Sequence, residues 1–204
     1  MNDSEIGWSP GRRSQVRQEI ALALCAGLLL VVVGCAGTPE VADTSPSSTG
    51  HASYLAQGNE YADKGMFTEA EASYTSAIRT NSRDSRAYVN LAQVYAQTDR
   101  LEEAEQLLNA AIKLNPREFR AHNLLGNVCY ERKSYNAARY HYRNALAIEP
   151  TYYEAHWNLV ATCFMLNKNE EALEHCREYV ELAPESEAVN LRRARVYLSG
   201  QRLE

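Results

Sequence analysis

A surplus of positive charge is the first thing this chain of 204 residues lacks. Its 21 Lys and Arg stand against 26 Asp and Glu, for a net charge of −5 and a pI near 5.6. Proteins that hold phosphate backbones need a basic face, so general nucleic-acid binding is excluded. Long apolar runs are missing too. The uncharged stretch 20–33 has roughly 14 residues, against the ~20 a helix needs to span a bilayer. The ten glycines never gather into a phosphate loop, and neither a nucleophile elbow nor a His-Glu-x-x-His pair occurs. No catalytic pattern is left, and no cofactor or metal is expected. Glu102-Glu103 and Glu170-Glu171 are carboxylate pairs. They fall where helices should begin and suit the positive end of a helix dipole.

Proline is also scarce, and its placement is informative. Of six prolines, Pro116, Pro150 and Pro184 are spaced 34 apart, with Ser82 in the corresponding place before them. The same period carries other columns. Gly58, Ala92, Gly126 and Val160 form one; Ala70, Ala104, Ala138 and Ala172 a second; Tyr74, Leu108, Tyr142 and Cys176 a third; Ala77, Ala111, Ala145 and Tyr179 a fourth. A fixed period of this length marks stacked supersecondary units. Four units follow: 51–84, 85–118, 119–152 and 153–186.

Each unit reads as two helices. In the second, Tyr88, Leu91, Ala92 and Tyr95 recur as one helix face. Asp99 with Glu102 has the spacing of a capping box that would open the next helix. Leu101, Ala104, Leu108, Ala111 and Ile112 continue it, and Asn115-Pro116 ends it. The other units predict helices near 53–64 and 68–80, 119–132 and 136–148, 153–166 and 170–182. Small residues at 58, 92 and 126 let paired helices approach closely, whereas Val160 and Tyr179 predict a looser or differently angled fourth unit. Glu187–Leu198 reads as a final helix whose Arg192, Arg193 and Arg195 keep its outer face wet, as the end of a solenoid requires.

On these columns the chain resembles the tetratricopeptide-repeat family over about 51–186. The resemblance implies an all-α fold, a right-handed superhelical solenoid of four helix-turn-helix repeats plus a C-terminal capping helix. It also implies a concave groove lined by positions 2, 5, 6, 9, 12 and 13 of each first helix. Those positions hold the amides Asn59, Asn90, Gln93, Asn127 and Asn158 and the cations Arg86 and Arg120. They also hold the apolar residues Val89, Tyr130, Trp157, Phe164 and Met165, with Leu191 and Arg195 added from the last helix. Amides in a row both donate to and accept from a peptide backbone. Trp157, Phe164 and Met165 admit two readings, a partner-binding cluster or packing beneath the capping helix. The family's carboxylate clamp uses Lys at position 5, where this chain has Leu55, Val89, Asn123 and Trp157. A chaperone tail is therefore not the expected ligand.

The N-terminus reads as a targeting segment, residues 1–34. Arg12, Arg13 and Arg17 precede the apolar stretch, which ends in Val32-Val33-Gly34-Cys35. This resembles the bacterial lipobox and implies cleavage before Cys35 and lipidation of its thiol and new amino group. Residue Ala36, rather than Asp, points to the outer membrane. Residues 36–50, rich in small, polar and Pro residues, read as a flexible tether with a reach of about 20 Å.

Cys129, Cys163 and Cys176 remain in the repeats. Cys129 and Cys163 share one repeat position, His122 and His156 another, His141 and His175 a third, which reads as local duplication rather than a metal site. A disulfide between Cys163 and Cys176 is open on the sequence. The layout as a whole predicts a non-enzymatic, lipid-anchored scaffold with a protein or peptide ligand in its groove. It is similar to the pilotin-type and Flp/Tad assembly lipoproteins of bacterial pili. An adaptor for peptidoglycan hydrolases or synthases is the alternative, and self-association through the aromatic C-terminal end is a further one.

Overall fold

A computed structural model of the protein describes residues 48–200, with side-chain burial from residue 50. The targeting segment, Cys35 and most of the tether lie outside the described residues. Among the described residues nine α-helices follow one another: α1 (Ser48–Asp63), α2 (Phe67–Thr80), α3 (Ser85–Gln97), α4 (Leu101–Leu114), α5 (Phe119–Glu131), α6 (Tyr135–Ile148), α7 (Tyr153–Met165), α8 (Asn169–Leu182) and α9 (Ala188–Ser199). A 3-10 turn, Glu185–Glu187, precedes α9, and no strand occurs among the described residues. The helices pack as antiparallel pairs, each pair against the next, which is the superhelical solenoid the period implied.

The contact that sets the pairing lies between the 58 and 74 columns. An added Cβ on Gly58 would fall 2.5 Å from the Tyr74 ring, and one on Gly126 would fall 2.5 Å from the Tyr142 ring. The tyrosine therefore lies directly on the glycine's backbone. In the second unit the exchange is Ala92 with Leu108, both buried in one cluster. In the fourth it is Val160 with Cys176, again both buried. The side chain grows on one helix as it shrinks on the other, so the fourth joint is closed rather than loose. What changes there is the next step. Tyr179 stands where other units have Ala77, Ala111 and Ala145, and it packs against Leu191 and Ala194 of α9. α1 with α3, α3 with α5, and α5 with α7 all bring Cα atoms within 8 Å, while α7 and α9 do not.

Two corrections concern helix ends. Asp99 does not cap α4: it has a left-handed φ of 65°, and the N-cap is Arg100, with no side-chain hydrogen bond. Asp99 serves instead as the hinge of the helix-to-helix turn. Gly65, Lys133 and Asn167 hold the same place in the other units, at φ 72°, 60° and 57°. What the column shares is its left-handed backbone and not a side-chain type. Second, α1 begins at Ser48, ahead of the expected start and inside the stretch read as tether. His51 explains the anchoring, with Nδ1 at 3.0 Å from the Ala77 carbonyl and Nε2 at 2.7 Å from Asp84 Oδ2. Ser85 Oγ donates to Glu118 Oε2 at 3.1 Å, and Phe119 meets Tyr152 edge-on at 4.9 Å. In these three units the first residue thus meets the last.

Both ends are made polar. Interior units bury Ala87, Ala121 and Ala155, and Leu91, Leu125 and Leu159, against the preceding pair. Unit one has exposed Ser53 and Gln57 at those positions. At the other end α9 buries Leu191 and Ala194 and exposes Arg192 and Arg195.

Gly126→Ala should cost about 1–3 kcal/mol of stability by forcing the Tyr142 ring off the joint. Adding Tyr142→Leu, which copies the Ala92–Leu108 exchange, should recover most of that loss. Urea unfolding of the single and double variants checks this, and a double variant less stable than Gly126→Ala alone would refute the reciprocal packing. A second prediction concerns pH. Burial and the facing His156 push His175 down to about 4, and burial lowers His141 as well. These imidazoles are neutral when folded and take up protons when unfolded. Stability should therefore be full above about pH 6.5, the unfolded value, and fall towards pH 4. His175→Gln should flatten the urea midpoint over that window, and an unchanged slope would contradict it.

Candidate partner-binding groove

Position-6 and position-9 side chains of the first helices meet on the concave side because those helices stack in order. In units one to three this builds a cavity of about 340 Å³ lined by Asn59, Asn90, Gln93 and Arg120 with Asp63, Gln97 and the Tyr74 hydroxyl. Four of the expected residues are thus brought together. Asn59 Oδ1 accepts from Tyr74 Oη at 2.8 Å and from Asn90 Nδ2 at 3.0 Å. Arg120 Nη2 donates to Asn90 Oδ1 at 3.5 Å. Burial and nearby Asp63 hold the Tyr74 phenol above its usual range, so it stays a donor.

Asn127 and Asn158 form a second network further along. Tyr142 Oη donates to Asn127 Oδ1 at 2.8 Å, and Asn158 Nδ2 bridges Asn127 Oδ1 at 3.1 Å and Asn123 Oδ1 at 3.0 Å. The Tyr142 phenol is pushed well above its usual range by burial.

Other expected residues are engaged differently. Arg86 turns to Asp84, with Nη2 at 2.6 Å from Oδ2 and Nε at 3.0 Å from Oδ1. That guanidinium, with His51, holds the Asp84 carboxyl far below the usual range. Val89 and Leu191 belong to the core, at 0% and 6% exposure, and are not groove surface. Tyr130 is half-buried and meets Tyr135 edge-on at 5.3 Å. Trp157 packs on Tyr179 and Phe164 on Tyr197 of α9, each with ring centres 5.0 Å apart. Both are half-buried, so packing beneath the capping elements is their observed arrangement. Met165 is 45% exposed at the end of α7, and Arg195 is exposed on α9.

Outside the groove, arginines tie successive units together. Arg100 reaches Glu71 at 2.9 Å and Glu103 at 3.0 Å and lies over the Tyr95 ring. Arg132 pairs with Glu102 and Glu105, and Arg139 with Glu171. Half-exposed pairs of this kind add little stability singly but fix register. Cys163 and Cys176 are buried and unbridged, their thiols pushed up to about 11 by burial, so they are packing residues. Among the described residues no three His, Cys, Asp or Glu side chains converge as metal ligands, and no helix is long and apolar enough to cross a membrane.

The sequence reading missed Tyr74 and Tyr142 as supports of the groove, and Asp63 and Gln97 as its lip. The co-occurrence of Gly58, Asn59 and Tyr74 with Gly126, Asn127 and Tyr142 was the available signal.

Comparison with known proteins agrees with this geometry. Two tetratricopeptide-repeat family models match, one over residues 61–128 and one over 126–164. No curated protein matches the chain in sequence. Among solved structures, a thermophilic TPR protein of Thermus thermophilus is similar with a TM-score of 0.65 at 21% identity, over 73% of this chain and 81% of that one. YrrB, described as a TPR protein with an unusual peptide-binding site, has a TM-score of 0.57 at 20% identity, over 72% and 76%. The first TPR of Spaghetti, bound to an HSP90 peptide, has a TM-score of 0.58 at 24% identity, over 59% and 98%. At these identities the likeness establishes the fold. The chain carries tetratricopeptide repeats, and the family's members serve as protein-interaction scaffolds.

Proposed function

We propose that this tetratricopeptide-repeat chain is a lipid-anchored scaffold of the bacterial envelope that holds a peptide segment of its partner in the concave groove. The observation that carries the reading is the cavity between Asn59, Asn90 and Arg120. It is concave, mainly polar with Ala62 and Val94 as its apolar members, and held in place by hydrogen bonds from the core. Such a surface suits main-chain amides and a carboxylate, and it contains no arrangement for bond-breaking chemistry. Two of the similar structures are described as peptide-bound or peptide-binding, which supports a peptide as the ligand class.

The anchor and its place rest on the Val32-Val33-Gly34-Cys35 motif, with lipidation at Cys35 and the outer membrane as the destination. Placing or assembling a pilus secretin is the role this layout favours. Delivering peptidoglycan hydrolases or synthases is the second reading.

A photo-cross-linking residue at Gln93, inside the groove, compared with one at Tyr140, exposed on α6, tests the proposal in host envelopes. Secretin or pilus components captured from Gln93 alone are the expected result. Cell-wall enzymes captured there would favour the second reading, and equal capture from both positions would overturn the groove. Cys35→Ser should abolish acylation and release the protein from the membrane fraction. A variant that stays in that fraction would contradict the anchor.

A further inference from the structure

Away from the groove, two pairs of histidines occupy matching places. His122 on α5 lies beside His141 on α6, and 34 residues later His156 on α7 lies beside His175 on α8. Spacing alone reads as duplication, but the side chains set the pairs apart. In unit four the two Nδ1 atoms stand 3.1 Å from each other, with ring centres 5.2 Å apart. In unit three the rings stack with centres 6.2 Å apart, and each Nδ1 is buried without a hydrogen-bond partner.

His156 is held from behind. Its Nε2 lies 3.0 Å from the Pro150 carbonyl oxygen. A carbonyl oxygen only accepts, so Nε2 carries the proton, and the neutral ring keeps a bare lone pair on Nδ1. His175 Nδ1–H donates to that lone pair. The His156 side chain is buried, so packing fixes the same orientation. One ring nitrogen tied to a backbone carbonyl and the other left bare is how metal-ligating histidines are positioned.

The separation of the two nitrogens also fits. Ligands about 2.0–2.1 Å from one ion, at angles of roughly 90–109°, stand roughly 2.9–3.4 Å from each other. The observed 3.1 Å falls within that range. Burial and His156 push His175 down to about 4, so protons compete little for its ring at neutral pH. The charges acting on it are mixed: Glu171 and Glu178 on α8 favour a cation and Arg143 on α6 opposes one.

We infer that His156 Nδ1 and His175 Nδ1 form a two-histidine site for one divalent transition-metal ion of the zinc or copper class. Neutral imidazole suits these ions, whereas magnesium and calcium take oxygen ligands. On binding, the proton on His175 Nδ1 passes through solvent to its Nε2, so both rings stay neutral and both Nδ1 lone pairs meet the ion. No third protein ligand converges among the described residues, and Glu171 is paired with Arg139 at 2.8 Å, so water completes the shell. The ion bridges α7 to α8 and braces the last helix pair.

Zinc chloride titrated into the full chain tests the site, followed by calorimetry and by the nitrogen NMR shifts of the imidazoles. One saturable ion should move the Nδ1 signals of His156 and His175 and raise the urea midpoint. His175→Gln keeps a side-chain donor for His156 Nδ1 but loses the second imidazole. It should weaken that uptake at least about tenfold and remove the rise in midpoint. His122→Gln, in the pair whose nitrogens do not meet, should leave uptake unchanged. Thiols elsewhere in the chain are common to all three proteins, so the comparison isolates the imidazoles. Uptake unchanged in His175→Gln would overturn the site. So would unit-four Nδ1 signals that stay still at saturating zinc, or signals that move at His122 and His141 instead.

Discussion

The structure depends on how closely two helices of a pair can approach at one point. That point is the contact between the 58 and 74 columns, where a side chain on one helix is sized to what the other withholds. Gly meets Tyr twice, Ala meets Leu once and Val meets Cys once. Total volume stays nearly constant, which is the condition a close-packed joint imposes. With the joint fixed, the pair has one geometry, each pair stacks on the next, and the superhelix follows. Its concave surface is a consequence of the stacking.

The same joint also determines what the groove presents. Where the pair is Gly with Tyr, the phenol passes through the joint and emerges as a hydrogen-bond donor beneath a groove asparagine. The amide's orientation is then set by core packing. A ligand meeting it would lose little entropy in ordering that side chain, which is how a shallow polar groove gains affinity. Around the outside, Arg100, Arg132 and Arg139 hold neighbouring units in register and leave the concave face to the amides.

Much of this was legible in the sequence because a repeat writes its structure several times. The period, the helix pairs and the small residues at 58, 92 and 126 can be read directly, since each column answers a packing demand. Asp99 misleads because a polar residue three places before Glu102 has the spacing of a cap. Only the backbone shows that its column needs a left-handed turn, which Gly65, Lys133 and Asn167 supply with unlike side chains. Position number assigns Val89 and Leu191 to the groove, whereas their burial places them in the core. Arg86 has a closer carboxylate in Asp84 than any ligand would offer. The tyrosine supports escape notice when each column is read alone. They appear when Gly58, Asn59 and Tyr74 are taken together as one object, which side-chain geometry makes plain.

The central claim is that core packing orients the groove amides, and the most direct measurement of it is a double-mutant cycle on Tyr142→Phe and Asn127→Ala. Both single variants and the double would be unfolded in urea. If the hydroxyl holds the amide as described, the two substitutions remove the same bond, and the cycle should show a coupling of about 0.5–1.5 kcal/mol. Losses that simply add, to within about 0.3 kcal/mol, would mean the tyrosine and the groove asparagine act independently, and the account would be wrong.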